Sequence, residues 1–582
     1  IMKSFFKLVL ANLTAIFIVV AGFFAFFIMF IAISSISETS DVKSDSVLTL
    51  DLKTKVIDSP LEDQEDFFSI NKEEKAVLLY DVLQAIKNAK TDHKIKGISI
   101  ESDFINAGIT QLDDIRNALI DFKKSGKFVY AYGNSVSQGA YYLGSVADKY
   151  YLNPAGGIEL KGLSAEVTFF KSFAEKFGIG IQVIRHGKFK AAVEPFLKDE
   201  ISPENQEQLS TLLNDIWNNT SNKIATSRNI PAPEFKTITD SLYAYLPNLS
   251  LKYKLTDGLI QKSEYDNLIK KKLKLDNDKK INKISFAKYA NSIESKSDKN
   301  KVAVLYASGA INNGKGYDAI YAENFVKEIQ KLQKDDNIKA VVFRINSPGG
   351  SANASDEILF EMQQLKRKKP VVVSFGDYAA SGGYYIAMGA DKIYSEPNTL
   401  TGSIGVFGVI PYFKDLAAKN GIRSDAVSTN ANSNMISAIN GLSPGTLNIM
   451  TRSVESTYQR FVHFVTQNRK KSFEQIDAVG GGRIWSGVRA KEIGLVDELG
   501  TLEDAINFAA KSANVKDYSV SSYPAKMSKF EQIFSAETDE DFSTRVIKNK
   551  IGKENFKIFQ QMTNPNAKAT VMMETPFSIK VN

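Results

Sequence analysis

Two stretches of the chain, GNSVSQGAYY (133–142) and GDYAASGGYY (376–385), share one frame at an offset of 243 positions (376 − 133 = 243). The same offset aligns KIKGISIESD (94–103) with NIKAVVFRIN (337–346) and continues without a gap to Gly178 and Gly421. Along it Gly139 meets Gly382, Tyr141 meets Tyr384, Asp148 meets Asp391, Pro154 meets Pro397 and Gly162 meets Gly405. A register held over roughly eighty residues is not chance, and its period is far longer than a solenoid repeat, so the chain carries two whole domains of one fold. Farther on, LTDGLI (255–260) resembles KEIGLVDELG (491–500) at a slightly smaller offset, so the copies differ in length by a few residues. A length of 582 residues also argues for more than one core.

Each copy alternates short apolar runs with amphipathic segments. AVVFRI (340–345) and PVVVSF (370–375) have the length and valine content of buried strands, and ASDEILFEMQQLKRK (354–368) between them has helical spacing. Strand, helix, strand predicts an α/β core. The second strand runs into AASGGYYIAMGA (379–390), which carries no charge; a helix apolar all round is a buried one.

Composition narrows the chemistry. There is no cysteine, which removes disulfides, thiolate nucleophiles and cysteine-based metal sites. The only histidines are His93, His186 and His463, and no two have the spacing of a metal motif, so neither a metal nor a cofactor is expected. The net charge of +7 is spread over many lysines without a basic run that interleaves aromatics, so nucleic acid is not an expected partner.

The N-terminus predicts a membrane anchor over 1–37. After Lys3 and Lys7 no charge occurs until Glu38, and Phe, Ile, Val, Leu and Ala dominate the interval, long enough to span a bilayer. The lysines before it favour a cytoplasmic N-terminus, with everything after the span on the far side. A polar linker follows over 38–46, then a first domain over 47–300, a second over 301–535 and an extension over 536–582. The charged stretch 264–301, with KKKLKLDNDKK, reads as a boundary or as a pair of exposed helices.

Chemistry concentrates where the copies differ. Ser381 falls at the start of the buried apolar segment, and a helix start favours negative charge, as a nucleophilic alkoxide requires; it is equally the place of an ordinary N-cap serine. The first copy has Gln138 there. NSPGG (346–350) ends another strand, and paired glycines let N–H groups converge as an oxyanion hole needs; Gly350 and Gly382 are the candidate donors. The first copy has Asn106 and Ala107 in place of Gly349 and Gly350, so nucleophile and donor loop vanish together. The second copy offers no histidine base except His463, outside the aligned core in a helical segment. A lysine can serve if neutral, which means a pKa about 3 below its usual value of roughly 10.4, on the order of 4 kcal/mol.

RINSPGG (344–350), AASGGYY (379–385) and TLTGSIGVFG (399–408) closely resemble the C-terminal half of the membrane-anchored, two-domain bacterial signal peptide peptidase A family, and KFKAAVEPF (188–196) resembles its lysine-bearing segment. The resemblance covers nearly the whole chain and implies tandem ClpP/crotonase-like α/β domains behind a transmembrane helix. It implies a Ser/Lys dyad divided between the halves, with Ser381 as nucleophile, Lys190 as general base, Ser403 orienting the lysine, and Gly350 with Gly382 as oxyanion donors. It further implies a bowl-shaped homotetramer at the bacterial inner membrane, catalytic domains on the periplasmic side, that degrades remnant signal peptides with small apolar residues before the cut. The position aligned with Lys190 in the second copy is Ser433 (190 + 243 = 433), and no lysine occurs between Lys419 and Lys470. One copy lacks a base and the other a nucleophile. Glu194 would pair with Lys190 on a continuous helix, which Pro195 argues against, and Lys188 reads as a surface residue. The alternatives in other classes are a crotonase-like acyl-CoA enzyme and a non-catalytic membrane scaffold.

Overall fold

The computed structural model describes residues 11–23, 42–50, 55–60, 76–276, 278–293 and 298–525, and the backbone of 572–574. Residues 11–23 form an exposed helix; the rest of the expected anchor, part of the expected linker and most of the expected extension lie outside the described residues. Among the described residues no helix is long and apolar enough to cross a membrane.

Two parallel sheets repeat one strand order. In the first copy it runs Gly258–Leu259, Lys149–Ile158, Phe128–Val136, Ile95–Ile100, Ser46–Leu50, Lys283–Ser285. In the second the matching path is Glu498–Leu499, Lys392–Ser395, Val371–Ala380, Ile338–Ser347, Lys301–Ser308, Ser519–Tyr523, all parallel. Leu400–Gly402 adds a parallel strand to the far end of Val371–Ala380, and Ile484–Ser486 pairs antiparallel with it. The central strands are buried on both faces, as parallel strands covered by helices must be, which is why AVVFRI and PVVVSF read as continuous apolar runs.

The crossover helices obey the repeat. Ala352–Lys366 starts after Ser351, whose side chain accepts from the Ala354 N–H, and buries Ile358, Leu359, Met362 and Leu365. Its counterpart in the first copy is Ile109–Lys123, displaced by the same 243 positions (352 − 109 = 243). The charged stretch near the middle is built into the first domain. Helix Lys262–Lys272 buries Tyr265 and Ile269, strand Lys283–Ser285 closes the sheet edge beside Ser46–Leu50, and helix Phe286–Ser292 buries Phe286 and Tyr289. Its lysines occupy the outer faces of elements that are apolar inside, so high charge concealed structure.

A third sheet joins the copies. Strand Gly180–Arg185 of the first copy lies antiparallel to Phe407–Tyr412 of the second, from Phe407 opposite Arg185 to Tyr412 opposite Gly180. The segment carrying Lys190 leaves one end of that junction; Ser403 enters the same end.

Candidate active site

Ser381 stands between strand Val371–Ala380 and helix Gly382–Ala387, with φ 56° and ψ −117°, a conformation that non-glycine residues seldom adopt. Its N–H donates to Gly402 O at 2.8 Å, and the whole of the short helix behind it is buried. Ser381 makes no side-chain cap, although it occupies the cap position, so its buried hydroxyl is left for other work. In the first copy that work is absent. Ser137 caps the matching helix by accepting from Ala140 N–H, and the Gln138 amide accepts from the N–H groups of Lys161 and Gly162 and donates to Gly162 O.

Lys190 arrives from the other half. It follows the junction strand, precedes the turn Ala191–Val193 and is 1% exposed. Its Nζ lies 2.8 Å from Ser381 Oγ, 2.9 Å from Ser403 Oγ and 3.2 Å from Ser403 O. Ser403 is itself at φ 50°, fully buried, with its N–H donating to Arg483 O at 2.7 Å. Glu194 is turned to other partners, accepting from Ser202 Oγ at 2.5 Å and Asn205 Nδ2 at 3.1 Å, because the chain breaks into a short turn after Lys190 and does not continue as one helix. Lys188 is exposed, as a surface lysine should be.

The glycines converge as well. Gly350 has φ 155°, and a Cβ on it would lie 2.1 Å from Ile311 O. A Cβ on Gly382 would lie 3.2 Å from the Gly350 nitrogen and 2.8 Å from Ser355 Oγ, so the two amides are neighbours beside Ser381. Strand Gly349–Ser351 carries on its edge the backbone of Met572–Glu574, antiparallel, with Met573 opposite Gly350. Met572 also pairs with Phe407 on the opposite side. The gap between Gly349–Ser351 and Phe407–Tyr412 thus accepts one extended strand with backbone partners on both edges.

One element of the site escaped the sequence reading. The triplet Gly480, Gly481, Gly482 in AVGGGR clamps the lysine loop: Phe189 N–H donates to Gly481 O at 3.1 Å, and Gly482 N–H donates to Ile404 O at 2.7 Å. A Cβ on Gly482 would fall 2.7 Å from Lys190 N, and one on Gly405 would fall 3.3 Å from Lys190 Cδ. Three consecutive glycines were a legible sign of close backbone approach, though nothing in the sequence says to what. His463 is exposed on helix Pro444–Arg469 and bonds Gln467, while His186 stacks on Tyr458 and bonds Glu455. Among the described residues no cluster could hold a metal ion.

The profile of peptidase family S49 matches residues 121–276 and 363–516, one match in each copy, and that of Clp protease matches 294–401. The chain belongs to peptidase family S49. Protease 4 of Salmonella typhi is 36% identical over 459 residues, 76% of this chain and 74% of that protein. Protease 4 of Haemophilus influenzae is 34% identical over 528 residues, 86% of each. A chloroplastic serine protease SPPA of Arabidopsis thaliana is 30% identical over 81% of this chain and 70% of its own. Tandem S49 domains and these relatives make the chain a serine protease of the SppA type with ClpP-like α/β domains.

Proposed function

We propose that the protease works through a dyad of Ser381 and Lys190 split between its halves; the observation that carries this is the 2.8 Å approach of two buried groups, Nζ and Oγ, from opposite copies. With its two N–H groups directed at Ser403 Oγ and O, a neutral Lys190 amine turns its lone pair to the Ser381 hydroxyl. Ser403 is the orienting residue. As Oγ attacks the peptide carbonyl, Lys190 takes the proton, and the N–H groups of Gly350 and Gly382 receive the oxyanion. Collapse breaks the C–N bond, the leaving amine takes the proton from Lys190, and an ester remains on Ser381. Water then attacks that ester, giving its proton to Lys190, and Oγ recovers one as the acid product leaves. No step needs a cofactor.

The substrates on this reading are remnant signal peptides with small apolar residues before the cut. Support comes from the SppA-type membership, from the apolar N-terminal stretch that would tether the enzyme beside such substrates, and from a cleft one strand wide. That stretch would anchor the chain in the bacterial inner membrane with both domains on the periplasmic side, working as a homotetramer.

The test uses the full chain in detergent. Ser381→Ala and Lys190→Ala are each expected to lower kcat by roughly a thousandfold or more with KM little changed; full activity in either removes the dyad. Equal kcat/KM for a signal peptide and a polar peptide of the same length removes the substrate class while leaving the dyad standing.

A further inference from the structure

A second buried cluster lies between the halves, behind the strands that carry the site. Helix Ile109–Lys123 of the first copy sets its first turns against the second copy, and Thr110 donates from N at 2.9 Å and from Oγ1 at 3.0 Å to Asp377 Oδ1. Asn398 donates at 2.8 Å to Asp113 Oδ2. Arg344 is consumed by Asp58 of the first copy at 3.2 Å, by Ser374 and by Phe375 O. Between these, Asp114 and Glu396 face each other, each 2% exposed. Neither Asp114 oxygen has a hydrogen-bond donor in the fold, and Glu396 Oε1 has none either.

Two carboxylates in that position would leave three buried oxygens without a donor and repel each other, at a cost that Arg344, already engaged by Asp58, cannot offset. A carboxyl and a carboxylate solve both problems with one proton. We propose that Asp114 and Glu396 share a proton across the junction, and that this bond is a positioning element for catalysis, holding the serine-bearing strands of one copy against the lysine-bearing half. The connections are direct along the chain. Asp377 is four residues before Ser381, Arg344 begins the strand end that becomes the Gly349–Gly350 loop, and Glu396 precedes the strand Leu400–Gly402 that delivers Ser403. The proposal rests on the Ser381 and Lys190 reading for its consequence, not for its geometry.

The groups facing the pair are Asp113 on the same helix, Arg344 and Asp58 from neighbouring segments, and Tyr142 beside Glu396; Lys223 and Arg116 lie around Asp113, and Asp377 lies beyond Asp58 and Arg344. Burial pushes the Asp114 carboxyl up to about 7 and Glu396 well above the carboxylate range, with Asp114 itself the next cause for Glu396. The folded chain therefore keeps protons that unfolded carboxyls, near 4, release. Stability is undiminished below that point and falls as pH rises through the folded values. Lys190 as a base favours the opposite direction, so an alkaline loss belongs to the junction.

The experiment measures kcat and Tm of the full chain from pH 5 to 10 for wild type, Glu396→Gln and Asp114→Asn. Each variant supplies a permanent amide donor where the proton was. The wild type is expected to lose kcat about tenfold per pH unit on its alkaline limb, reversibly, with Tm falling over the same range. Both variants are expected to flatten the two curves while KM stays within about twofold. If Glu396→Gln does not fold, Asp114→Asn gives the same reading from the other side. Profiles identical to wild type, or a flattened Tm curve with an unchanged kcat curve, overturn the proposal. A flattened Tm curve together with an active Lys190→Ala enzyme leaves the shared proton standing and rejects the dyad instead.

Discussion

Gly482 has φ 85° and sits where any Cβ would press on the backbone of Lys190 at 2.7 Å. Gly482→Ala should therefore displace the lysine without touching its chemistry, and kcat is expected to fall roughly a hundredfold, the scale of a 1 Å misplacement. Steady-state kinetics beside a near-unchanged circular dichroism spectrum would check it. Gly350→Ala meets Ile311 O at 2.1 Å and loses the strand geometry that aims its N–H, so a loss of about a hundredfold to a thousandfold in kcat is expected there. Of the two residues of the proposed dyad, Ser381 was legible because the first copy has Gln138 at its position, whereas Lys190 was singled out by the family resemblance of KFKAAVEPF more than by its local pattern. What Gly482 approaches was not legible, since its neighbour in space is distant in the chain and a run of glycines signals close approach without naming the partner.

At the scale of elements, the junction strands determine how far the lysine reaches. Val409 pairs with Val183 in the middle of the antiparallel run. Val409→Pro would remove one N–H and strain the ladder, and it is expected to abolish most peptidase activity while both parallel cores persist, read as lost kcat with a retained far-ultraviolet spectrum. The strand Met572–Glu574 occupies the gap that an extended substrate would need. Deleting residues 572–582 is therefore expected to lower KM several-fold and leave kcat alone, since a competing strand acts on binding only. Strand and helix types near the site followed from periodicity, but the bounds shifted. The strand expected over 370–375 runs on to Ala380, and of the helical segment expected over 379–390 only Gly382–Ala387 is helix, while Ala352–Lys366 lies close to where apolar spacing put it. The pairing of Gly180–Arg185 with Phe407–Tyr412 did not follow, because no local pattern encodes which distant edge a strand will meet.

The whole molecule is a duplicated fold in which the copies have parted company. Lys190 and Ser381 of one chain already lie in hydrogen-bond contact, so mixing Ser381→Ala chains with Lys190→Ala chains is expected to restore no activity. Recovery toward a quarter of wild type would instead mean that the groups meet between chains. The 243-residue offset made the duplication plain, and the same strand order in both sheets agrees with it. What the offset could not show is that the helix after the first copy's lost donor loop has become a docking end for Asp377, whose carboxyl burial raises to about 6.

Gln138 makes this divergence costly to undo. Its amide makes three hydrogen bonds to the loop at Lys161 and Gly162, so Gln138→Ser would strip all three from a half-buried loop and by itself supply no base. A reversal would also need two glycines at Asn106 and Ala107 and a lysine from elsewhere, none useful alone. The change behaves as a ratchet: with the glutamine holding that loop, a first step back toward serine removes hydrogen bonds while the glycines and a base are still missing from the first copy.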